Sequence, residues 1–157
     1  MEFFFGSGKG AVKTATVRKV LAVDTVLLDN GRIVRLIGLR AMEPPKPSEK
    51  VERDEFGFPV KKETPPVEDL ARQAMEFTRT LLEGKAVRLE LGEQSTDERY
   101  HTLAYVFLTS SGVFVNAEIL RQGFAYLRIQ PPNLKYARQL REAYQEARRE
   151  KRGVQNE

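Results

Sequence analysis

The chain has 157 residues, 41% hydrophobic and 31% charged, enough apolar material for one sizeable core and too much for a disordered chain. Its 26 Lys and Arg against 22 Asp and Glu leave a net charge of +4, which permits a polyanionic partner without demanding one. The absence of cysteine excludes disulfides and thiolate metal sites, and no apolar run approaches the roughly 18 residues that span a bilayer.

Residues 1–13 have no basic n-region and too short an apolar run for a signal peptide, so the expectation is a flexible leader. The compartment, cytoplasmic or exported after processing, is left open. A single domain is expected over 14–153, with a tail over 154–157. Residues 14–21 predict its first strand. In the next stretch, Asp24-Thr25-Val26-Leu27-Leu28-Asp29-Asn30-Gly31-Arg32-Ile33, the Asn-Gly pair between apolar runs predicts a two-residue hairpin turn with positive φ at both positions. That register sets 29 opposite 32, 27 opposite 34 and 24 opposite 37, and gathers 24, 26, 33, 35 and 37 on one face. Asp24 and Arg35 then become diagonal neighbours in reach of a cross-strand ion pair. Both faces of these strands carry apolar residues, which suits a small barrel.

From 44 to 66 the chain turns rich in proline and in charges of both signs, with Phe56-Gly57-Phe58 in the middle. A long solvated loop is expected, with an ordered lid as the alternative. Thr64-Pro65 then opens a helix whose stripe is Leu70, Ala74, Phe77 and Leu81, and Gly84 ends it. Residues 86–91 and 103–108 read as strands, separated by a polar loop from Gly92 to His101. Asn116 is expected to cap a short helix through Gln122, closed by Gly123. Pro131-Pro132-Asn133 opens the last helix, with a stripe of Leu140, Tyr144 and Ala147. Three strands, a helix, two strands and two helices point to an α+β fold, a five-stranded barrel with helices at one side.

Five segments in this order carry a resemblance: Asp24-Thr25-Val26, Val34-Arg35-Leu36-Ile37-Gly38-Leu39 followed by Glu43, Leu103-Ala104-Tyr105-Val106, Val115-Asn116, and Arg121-Gln122-Gly123-Phe124-Ala125. Together they resemble the staphylococcal nuclease (thermonuclease-like) domains, which are OB-fold barrels with three α-helices, over about 14–153. The resemblance implies hydrolysis of DNA or RNA with one calcium ion. In that family two carboxylates and a backbone carbonyl hold the metal, a glutamate activates water, and two arginines grip the phosphate.

Carried over by position, Asp24 stands at the first metal carboxylate, Ala41 at the carbonyl ligand, Arg35 at the first arginine and Glu43 at the catalytic glutamate. The departures are as informative. Where the family reads Asp-(Thr/Ala)-Pro-Glu this chain has Arg40-Ala41-Met42-Glu43, so Arg40 replaces a metal carboxylate. The family's Asp-x-Tyr-Gly-Arg becomes Asp97-Glu98-Arg99-Tyr100-His101, which puts His101, a side chain able to change charge near neutral pH, at the second arginine. Arg99 is the nearby substitute for that contact. Arg128 and Gln130 fall near the family's nucleotide-stacking tyrosines, which makes Arg35, Arg99 and Arg128 the candidate nucleic-acid contacts.

At ~4 Å two like charges repel by about 4 kcal/mol at an effective dielectric near 20, and calcium carries twice the charge. No cofactor is therefore expected. Arg40 is expected either to take the metal's place between Asp24 and Glu43 or to swing into solvent. These residues imply a weak or inactive nuclease homologue that binds nucleic acid or a protein partner. The alternatives are a calcium-dependent endonuclease using Asp24, Arg35 and Glu43, and a pure protein-interaction module.

Overall fold

The structure, a computed structural model, describes residues 4–5, 12–42, 53–58 and 66–155. Glu43, the pair Thr64-Pro65, most of the expected loop 44–66 and most of the expected leader lie outside the described residues. The strands are β1 (Phe4–Phe5), β2 (Val12–Ala22), β3 (Thr25–Leu28), β4 (Ile33–Leu36), β5 (Gly38–Arg40), β6 (Ala86–Thr96), β7 (Thr102–Leu108) and β8 (Tyr126–Arg128). The helices are α1 (Pro66–Leu82), α2 (Val115–Arg121) and α3 (Ala137–Arg149).

Strands β2-β3-β4-β7-β6 follow one another around a barrel that closes where β6 pairs back onto β2. Closure leaves these five strands without an open edge. Only the β4–β7 pairing in this barrel is parallel. Inside lie Val17, Val26, Val34, Val87, Val106 and Ala104, all completely buried. Alternating apolar residues on strands that curve round to meet each other supply this core. The five-stranded barrel with three helices is the expected α+β OB-fold. Two short pairings are added to it: β1 on the start of β2, and a ribbon of β5 with β8. In the proline-rich segment, Asp54 accepts hydrogen bonds from the N–H groups of Phe56 and Phe58, both at 2.9 Å, forming a compact turn.

The hairpin register differs by one residue from the expected one. Thr25 opposes Arg35, Val26 opposes Val34 and Leu27 opposes Ile33. Gly31 alone takes positive φ, +86°, and its N–H donates to the Leu28 carbonyl at 3.0 Å. Asp29 and Asn30 therefore form the middle of an ordinary turn and Gly31 follows it as a left-handed bulge, a three-residue loop in place of a two-residue one.

Asn116 is not a helix cap. It lies in the first turn of α2, completely buried, and the residue at the cap is Phe114. Its amide donates to the carbonyl of Ile37 at 2.8 Å, while its Oδ1 accepts from the N–H of Val106 at 2.9 Å. One side chain thus ties α2 to β7 and to the link between β4 and β5. Strand β6 also runs to Thr96, beyond the expected end at Leu91, absorbing Gly92 with a register irregularity. A Cβ on Gly92 would lie 2.6 Å from Oδ1 of Asn133, whose side chain holds both the N–H and the carbonyl of Gln94. Past α3, the N–H of Val154 donates to the Gly123 carbonyl at 2.8 Å, fastening the tail's first residue to the end of α2.

Candidate functional site

Arg35 projects from β4 between two carboxylates. Its guanidinium lies 3.4 Å from Oδ2 of Asp97 and 3.9 Å from Oδ2 of Asp24. The Asp24–Arg35 neighbourhood expected from sequence is thus formed, but through a different register: Asp24 sits in the turn just before β3, where strand alternation no longer dictates its direction. Asp24 is engaged on both oxygens. Oδ1 accepts from the Thr25 hydroxyl at 3.0 Å and Oδ2 from the Ala41 N–H at 3.3 Å.

Asp97 organises the opposite side. Its side chain is only 8% exposed, and its Oδ1 accepts the backbone N–H groups of Arg99 and His101, both at 2.9 Å. Burial pushes this carboxyl's pKa up. The bonds from the backbone of His101 and Arg99 and from the Arg35 guanidinium outweigh it and hold the pKa below the ordinary value. Nδ1 of His101 stands 3.5 Å from Oδ2 of the same carboxylate, so Asp97 draws Arg35 and His101 toward one place. Tyr100, at the tip of this loop, adopts φ +62° and is 88% exposed.

Beside these groups is a cleft of about 150 Å³, lined among others by Arg35, Asp97, Arg128, Gln130 and Asn133. Arg128 enters it from β8. The Asn116 bond to Ile37 and the Asn133 bonds to Gln94 secure its walls from behind. The Arg35 guanidinium lines this cleft beside Asp97 and Glu98, and its planar fork is suited to an anion such as a phosphodiester.

The remaining candidates divide. Arg40 does not pair with Asp24. It is exposed, and its guanidinium lies 4.9 Å over the ring of Tyr126, its partner on β8. Pairing in the ribbon turns residue 40 toward Tyr126, which the local sequence could not show. Arg99 is exposed on its loop and does not line the cleft. Glu43 lies outside the described residues. Calcium needs several oxygen ligands; here Asp24 receives a hydroxyl and an amide donor, Ala41 turns its N–H to that carboxylate, and position 40 carries no carboxylate. Among the described residues no group of three or more His, Asp or Glu could hold a metal ion.

In the sequence pattern Asp97 is only a landmark of the loop before His101, and Asn133 has no assigned role. Asp97 carried a usable local signal, because an aspartate opening a polar loop often bonds the N–H groups that follow it. Asn133 carried none.

Comparison with known proteins adds the family. Residues 33–157 match the family model described as Staphylococcal nuclease homologue. The chain is 28% identical to a thermonuclease of Staphylococcus hyicus, over 90% of this chain and 75% of that protein. It is 29% identical to a thermonuclease of Staphylococcus intermedius, over 88% of this chain and 73% of the relative.

Proposed function

Because this chain belongs to the staphylococcal nuclease homologue family, we propose that it is a weak or inactive nuclease whose cleft still binds nucleic acid. The observation that carries this reading is the opposite fate of the two halves of the site. The phosphate half keeps Arg35 facing a cleft shared with Arg128. In the metal half, Asp24 is bonded to Thr25 and Ala41, and Arg40 stands where the family has a carboxylate. Binding needs only the first half. Hydrolysis of a phosphodiester needs developing charge to be neutralised. With His101 at the second arginine, one fixed cation remains there in place of two.

Two arms test this. In EDTA at low salt, where phosphate-driven binding is strongest, a fluorescent single-stranded oligonucleotide is expected to bind, and Arg35→Ala to weaken it about tenfold. The salt dependence of log affinity is expected to fall by about 0.7 in the variant, as for the loss of one single-strand phosphate contact. Absence of binding to either DNA or RNA refutes the reading and favours a protein-interaction module. Efficient calcium-dependent cleavage favours the endonuclease alternative that uses Asp24, Arg35 and Glu43.

A further inference from the structure

We infer that the exposed face of the β5–β8 ribbon is a second nucleotide subsite, in which Arg40 and Tyr126 hold the nucleotide next to the one gripped at Arg35, an inference that rests on the nucleic-acid reading above. The ribbon pairs Arg40 with Tyr126, Leu39 with Leu127 and Gly38 with Arg128. Strand alternation therefore puts Arg40 and Tyr126 on one face with Arg128, and sends Leu39, 3% exposed, into the core. Arg128 also lines the cleft that contains Arg35, so a continuous path leads from that cleft to Arg40.

The chemistry of this face matches a single strand. Arg40 and Arg128 are exposed, and neither forms an ion pair among the described residues. One face of the Arg40 guanidinium rests on Tyr126 at 4.9 Å. Its other face remains as a platform for a base, and its N–H edge as a fork for a phosphate. Arg40 and Arg128 are diagonal neighbours across the ribbon, about 7–8 Å apart, of the order of the separation of consecutive phosphates in an extended strand. A duplex would present its bases stacked and out of reach; unpaired bases can lie on an aromatic–arginine platform.

The test is competition binding in EDTA with two probes, thymidine 5′-monophosphate, which can fill only the Arg35 site, and a thymidine hexanucleotide. Arg40→Ala and Tyr126→Leu are each expected to weaken the hexanucleotide about tenfold and to leave the mononucleotide within about twofold. Arg40→Lys, which keeps the charge and loses the plane, is expected to recover only part of that loss. Circular dichroism shows that each variant is folded. If Arg35→Ala weakens both probes and Arg40→Ala weakens neither, the second subsite is wrong and the nucleic-acid reading stands. If the parent protein binds neither probe, both fall. A polyglutamate peptide bound more tightly than the hexanucleotide, and with the same Arg40 dependence, overturns the assignment in favour of acidic protein segments.

Discussion

Replacing Asp97 with asparagine tests whether one buried carboxylate anchors the Arg35 guanidinium at the cleft. Asparagine can keep Oδ1 in place for the N–H groups of Arg99 and His101, which bond it at 2.9 Å. On the other side it sets an amide donor against the Arg35 guanidinium, 3.4 Å away, and against Nδ1 of His101. A charge-assisted hydrogen bond contributes about 1.5–3 kcal/mol. Arg35 is 32% exposed, so solvent screening reduces this to about 1–2 kcal/mol at neutral pH. The pH dependence follows from the direction of the shift. The folded-state pKa of Asp97 is depressed below 3.8, so its contribution is fully present above that value and is lost as pH falls through the folded pKa. Urea unfolding followed by circular dichroism, on parent and Asp97→Asn side by side, is the assay. The parent is expected to be more stable at neutral pH, and the gap to close on acidification below about 4. The buried carboxylate Glu90 also has a lowered pKa but is common to both proteins and cancels in the difference. A gap that stays constant down to low pH, or no gap at neutral pH, refutes the reasoning.

Asn116→Ala is expected to cost about 3–5 kcal/mol by urea unfolding, because it strands the Val106 N–H and the Ile37 carbonyl in a dry interior. Stability unchanged within 1 kcal/mol, an order-of-magnitude margin, contradicts the tie. Gly38→Ala is expected to destabilise by about 1–3 kcal/mol, since φ is +90° and the new Cβ falls 2.5 Å from Cδ1 of Leu140. Tyr100→Gly is expected to do the opposite. The exposed tyrosine holds φ +62°, and relieving that conformation gains roughly 0.5 kcal/mol after the larger unfolded-state entropy of glycine is subtracted, read as a rise in melting temperature.

The barrel was legible because its signal is local: alternating apolar runs and a helical stripe state which faces are buried before any partner is known. The hairpin register was not, because Asn30-Gly31 fits both a two-residue turn and the three-residue loop that forms. Here the Asn30 side chain accepts the Arg32 N–H at 2.9 Å, and Gly31 alone takes the left-handed conformation. Asn116 stood where caps usually stand, yet buried backbone groups on β7 and on the link between β4 and β5 outcompete the helix end for its amide. Asp24 and Arg35 could be found from the family pattern. What holds Arg35 from the other side is Asp97, 62 residues away, and Asn133 reaches Gln94 across 39 residues. No window of sequence contains such pairs. Arg40 shows the same limit: the sequence left it either between Asp24 and Glu43 or in solvent, and it is exposed, over a tyrosine that belongs to a strand near the far end of the chain.

The proposed function rests most heavily on a site that works without calcium, with Arg40 where the family has a metal carboxylate. Release of acid-soluble nucleotides from single-stranded DNA, compared with and without millimolar calcium, measures that most directly. The account predicts release that is slow or absent and indifferent to calcium. Rapid release that starts with calcium, stops on chelation and disappears in Glu43→Ala contradicts it.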